Sequence, residues 1–158
     1  MRGATRRRRY AILVEAAGDG RGARFARRRA GKPGPRFADI AKVPDWLSAE
    51  PGEQHRIAIL AALLRYRRAI DAELSGARLA ALAAAVGEDL LDAACEAPAP
   101  DRVNNLPLPQ PERLHAEGRA LLHAALPLPF AQRFPDALDD PQARDLAARA
   151  SRIVAALA

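Results

Sequence analysis

Three histidines, one cysteine, three serines and two acidic clusters are the side chains in this chain that could move protons, hold a metal or attack a substrate. The histidines are His55, His115 and His123. His115 and His123 share one expected helix, eight residues apart. Eight residues rise about 12 Å, too far for both rings to reach one metal ion. Neither belongs to an HExxH arrangement, in which histidines on one helix face bind zinc. The spacing assigns them to the surface or its boundary rather than to a metal site. The acids Glu88-Asp89-Asp92 and Asp136-Asp139-Asp140 are close enough in sequence for paired-carboxylate acid–base work. Both groups also stand where helices should begin, and capping and the helix dipole explain acids there more simply.

Ser48, Ser75 and Ser151 include no GxSxG elbow. Cys95 lacks a sequence context for nucleophilic attack and reads as a small buried hydrophobe. A single cysteine also excludes an internal disulfide and a multi-cysteine zinc site, which suits a reducing cytoplasm. Gly18-Asp19-Gly20-Arg21-Gly22 is glycine-rich but lacks the GK[ST] ending of a phosphate loop. No catalytic, cofactor-binding or metal residue is assigned. The expectation is a protein with no enzymatic activity and no cofactor.

The elements that carry these residues read as helices. Residues 37–52 form an entry segment around Val43-Pro44-Asp45-Trp46-Leu47. Pro44 drives Val43 toward extended backbone, and Ser48 suits the cap of a short turn. Trp46, the only tryptophan, reads first as a plug closing an aromatic-poor core, and second as an anchor for a partner. Residues 53–74 have helical spacing, with Ile57, Leu60, Leu63, Leu64, Tyr66, Ile70 and Leu74 on a broad apolar stripe. Arg56, Arg65, Arg67 and Arg68 fall mostly off that stripe and read as a solvated face.

Ser75-Gly76 breaks this pattern, and Leu79, Leu82, Val86 and Leu90 continue it on a second helix. Gly87 marks a kink or a junction, with Glu88 and Asp89 at a new N-terminus. Residues 97–111 hold five prolines and read as an extended crossover, with Leu106 and Leu108 pinning it down. Pro111 should start a third long helix, which Leu126-Pro127-Leu128-Pro129 stops. Phe130 to Phe134 fits one further turn. Asp140-Pro141 signals the last helix, with Leu146, Ala150, Ile153 and Leu157 as its stripe. No two-residue alternation or repeat competes. The expected fold is all-α: a small irregular bundle of four to six helices with a disordered basic tail.

Charge divides the chain in the same way. Residues 1–36 hold 12 basic and two acidic side chains, a net of +10. Residues 37–158 hold 13 and 17, a net of −4. The overall +6 therefore describes neither part. The leader carries Arg6-Arg7-Arg8-Arg9, Arg27-Arg28-Arg29 and six of the ten glycines. It reads as a solvated disordered extension or an over-extended start; contact with nucleic acid or an anionic surface is the alternative. No aromatic stacking pattern accompanies its arginines. The apolar run Tyr10 to Val14 is too short for a signal peptide, and no run approaches a membrane span of about 20 residues.

From about Val43 to the C-terminus the chain resembles the K-type accessory subunit of the bacterial type III secretion sorting platform. The residues that carry the resemblance are Pro44-Asp45-Trp46-Leu47 ahead of a long helix, and Ser75-Gly76-Ala77-Arg78-Leu79 leading into Val86-Gly87-Glu88-Asp89-Leu90. Cys95-Glu96-Ala97-Pro98, Gly118-Arg119-Ala120-Leu121-Leu122 and Ala125-Leu126-Pro127 extend it. The leader has no counterpart, and the chain is short for that family. The resemblance implies a cytoplasmic, helical, non-enzymatic adaptor. Its implied partners are the pod protein and the forkhead-associated domain of the inner-membrane ring protein. The second expectation is a nucleic-acid-associated helical protein working through residues 1–36.

Overall fold

The run from Ile57 to Leu64 leaves a helix no polar face. Such a helix is stable only with neighbours on every side. The structure, a computed structural model, describes residues 37–99 and 106–157. These form α1 (Phe37–Ile40), a 3-10 turn (Asp45–Ser48), α2 (Pro51–Arg65), α3 (Arg67–Asp71), α4 (Gly76–Val86), α5 (Glu88–Glu96), α6 (Pro111–Ala125), α7 (Leu128–Ala131) and α8 (Ala143–Ala156). No strand occurs among the described residues. The expected all-α bundle is what forms. The five helices of nine residues or more, α2, α4, α5, α6 and α8, build it. The short helices make the connections. The basic leader, expected to be disordered, lies outside the described residues, as does 100–105 of the proline crossover.

α2 is the axis. From Ile57 to Leu64 no residue is more than 5% exposed. α6 and α8 pack along it and against each other, α5 covers a further side, and α4 rests on α5 and α6. Each fully buried leucine contributes about 1.5–3 kcal/mol relative to exposure, so Leu60, Leu63, Leu64, Leu114, Leu121 and Leu146 dominate the core. At Gly118, α6 meets the backbone of α2. A Cβ placed there would lie 2.0 Å from the carbonyl oxygen of Ala58. The second special glycine is Gly87, with φ 95° and ψ 136°. Its N–H closes α4 on the carbonyl of Ala83, and its carbonyl receives the N–H of Leu91 in α5. The expected helix-to-helix junction therefore stands at this residue.

Several expectations change. The helix expected over 53–74 starts at Pro51, breaks at Tyr66 and ends at Asp71. Leu74 then lies past the helix and is 96% exposed, although its spacing matched the stripe. In α8 the buried stripe is Ala143, Leu146, Ala147, Ala150 and Val154. Ile153 is only partly buried and Leu157 is exposed, so the stripe turns by one residue. Asp140 and Pro141 form a turn ahead of α8, whose first residue is Ala143.

The arginines of α2 and α3 change as well. Arg56 pairs with Asp89 of α5 at 2.6 Å. Arg65 reaches Asp140 at 2.8 Å. Arg67 donates to the carbonyl of Cys95 at the end of α5, and Arg149 of α8 donates to the carbonyl of Pro98 just beyond. Helix C-termini leave carbonyls unpaired and favour cations, which is why guanidiniums settle there. Of the four expected to form a solvated face, Arg56, Arg65 and Arg67 instead tie one segment to another. Leu106 and Leu108 do pack against the core, as the crossover required.

Candidate functional site: a recess beside Trp46

The expected chemical residues are dispersed by this fold. His55 on α2 meets His115 on α6, with ring centroids 4.2 Å apart and planes inclined by 58°. Burial first, then His55 and Arg119, hold the His115 pKa below its ordinary value. Sequence spacing missed this pair because its members sit on different helices. His123 stacks on Phe134 at 3.9 Å and places Nδ1 2.9 Å from Asp136. Among the described residues no three of His, Cys, Asp and Glu group as metal ligands. The acidic clusters separate into individual pairings: Asp89 to Arg56, Asp136 to His123 and Asp140 to Arg65. Ser48 Oγ donates to the carbonyl of Asp45 at 2.8 Å, and Ser75 Oγ accepts the N–H of Arg78 at 3.4 Å. Cys95, expected to be buried, is exposed; its neighbour Ala94 takes the core position.

The most enclosed polar group is a four-residue cluster between α2, α6 and the turn before α8. Arg65 lies 2.8 Å from Asp140 and 3.6 Å from Glu117. The Tyr66 hydroxyl donates to Glu117, and the Arg65 guanidinium lies 5.6 Å from the Tyr66 ring centroid. Asp140 also accepts the N–H of Gln142 at 2.8 Å. Burial and the bond to Glu117 push the Tyr66 hydroxyl up to about 12. A phenol held that firmly in its neutral form is a hydrogen-bond donor, not a base. The cluster reads as a latch between helices.

The open feature lies at the C-terminal end of α6. After α1 the chain turns through Lys42 and Val43, whose N–H groups reach Asp39 and Ile40 carbonyls. Pro44 holds extended backbone (φ −61°, ψ 150°) and the 3-10 turn follows. Gln54 of α2 donates to the carbonyls of Leu47 and Ala49 at 3.1 and 2.9 Å, tying that turn to the bundle. Trp46 is thereby seated in the core at 6% exposure, as the plug reading requires. One side of it still faces outward. With Pro44, Ala125, Pro127 and Ala148 it walls a recess of about 170 Å³, rimmed by Lys42 and Arg144. Both cations are exposed. Neither has a side-chain ion pair or hydrogen bond among the described residues.

No helix among the described residues is long and apolar enough to cross a membrane. Comparison with known proteins finds no matching family model, no similar curated protein and no similar solved structure.

Proposed function

We propose that this chain is a cytoplasmic, non-enzymatic adaptor of a bacterial type III secretion apparatus, linking sorting-platform pods to the inner-membrane ring. The observation that carries the proposal is the Pro44–Leu47 segment. It is the first of the strings on which the resemblance to the K-type accessory subunit rests, and Gln54 ties it to α2 while its tryptophan lines an open recess. An adaptor needs a stiff frame that presents a fixed surface, and a bundle built around the enclosed stretch of α2 from Ile57 to Leu64 supports that use. The work done is docking, with no bond made or broken.

The test is co-purification of the full chain with the pod protein and with the cytoplasmic domain of the ring protein. A stable complex with either is expected; failure to retain both removes the proposal. A second reading, nucleic-acid binding through residues 1–36, draws on the +10 charge of that segment. It requires affinity that falls steeply with salt and vanishes when residues 1–36 are deleted.

A further inference from the structure

The recess beside Trp46 combines an apolar floor with two cations that have no partner among the described residues. Pro44, Trp46, Ala125, Pro127 and Ala148 offer little hydrogen bonding, so an apolar group is what they would exclude from water. A cavity of roughly 150 Å³ accepts a benzene ring. The recess, at about 170 Å³, therefore has room for one side chain of leucine or phenylalanine size. Lys42 comes from the entry segment and Arg144 from the first turn of α8. Of the arginines elsewhere, Arg56, Arg65, Arg67, Arg78 and Arg149 have partners, whereas Arg68, Arg113 and Arg119 stand unpaired among the described residues as Lys42 and Arg144 do. What sets Lys42 and Arg144 apart is their place, both on the rim of one apolar opening.

We infer that this recess receives an acidic peptide segment of a partner protein. One apolar side chain of the segment fills the recess, and flanking carboxylates meet Lys42 and Arg144. Charge complementarity selects the occupant: the rim repels a basic segment and favours an acidic one. The apolar side chain supplies the buried anchor, as a central apolar contact does in most interfaces. This deepens the adaptor reading and depends on it only for the partner's identity.

Trp46 is the only tryptophan, so its fluorescence reports the recess directly. The probe is the peptide acetyl-Glu-Glu-Leu-Glu-Glu-amide, added to the full chain, residues 1–158. A saturable change in Trp46 emission is expected. It should weaken at least tenfold in the double variant Lys42→Glu/Arg144→Glu, and also in Ala148→Met, which fills the recess without altering charge. The same peptide with serine for leucine should give no saturable change. Thermal melts check that both variants fold. No response to the leucine peptide, an equal response to the serine peptide, or unchanged binding by the charge variant overturns the inference. So does a stronger response to a short oligothymidylate, which would make the rim a phosphate site. The two proposals separate cleanly. If platform proteins co-purify equally with the charge variant, the adaptor stands and the recess does not. If the peptide binds but no platform protein is retained, the recess stands and the adaptor does not.

Discussion

At His115, burial, the ring of His55 and the guanidinium of Arg119 all oppose protonation, in that order of size. The folded chain therefore takes up this proton at lower pH than the unfolded chain does, near an ordinary value of about 6.5. Between those two values the unfolded state holds more protons, so stability rises with pH. The contribution is complete above about pH 6.5 and is lost as pH falls through the folded value. Thermal melts at about pH 7.5 and about pH 5 should show a larger drop for the natural chain than for His115→Gln. Equal drops would mean that the imidazole is not held back. The pairing with His55 was beyond reach of sequence spacing, since 60 positions separate two residues that only the packing of α2 on α6 brings together. Cys95 failed for a related reason. A run of Ala-Ala-Cys at the end of a helix offers several inward choices, and a shift of one residue decided for Ala94.

On the scale of elements, the helices themselves were legible. Prolines at helix starts, Ser75, Gly87 and the leucine spacing place α4, α5 and α6 within a residue or two of their observed ends. Leu74 shows where periodicity stops informing. It has the right spacing from Ile70, but Tyr66 leaves helical geometry at φ −95° and ψ 10°, and the chain turns away after Asp71. The arginines show the same limit. Their position off the apolar stripe was visible, whereas their acceptors on α5 and ahead of α8 depend on topology. The α2–α6 contact yields a sharp test. Gly118→Ala would bring a methyl group onto the Ala58 carbonyl, a backbone atom that has no rotamer to escape into. The helices must separate, costing about 3 kcal/mol or somewhat less. Urea unfolding should show the midpoint drop; a Gly118→Ala protein as stable as the natural one would refute so close an approach.

At the scale of the whole molecule, the fold is a sheath around α2, fastened by a few polar crossings. The strongest fastening is at Arg65, whose partner Asp140 has a side chain only 3% exposed. Removing one member of an enclosed ion pair leaves the other charge unsolvated and costs about 3–5 kcal/mol. Arg65→Ala should therefore lose about 3 kcal/mol in denaturant unfolding, whereas Arg68→Ala, on an exposed residue, should lose under about 0.5. Equal effects would make the latch decorative. The charge partition between leader and body could be read by counting residues, and so could the helical class. The recess could not. It is made by three stretches distant in sequence, and only Trp46, as plug or as partner anchor, was visible beforehand. The enclosure of α2 has one more consequence, in time rather than in energy. Amide protons from Leu60 to Leu64 are enclosed by neighbouring helices, so solvent deuterium reaches them only when the entire bundle opens. Their exchange rates should converge on a single slow value that tracks global unfolding, while those of α3 exchange early and independently.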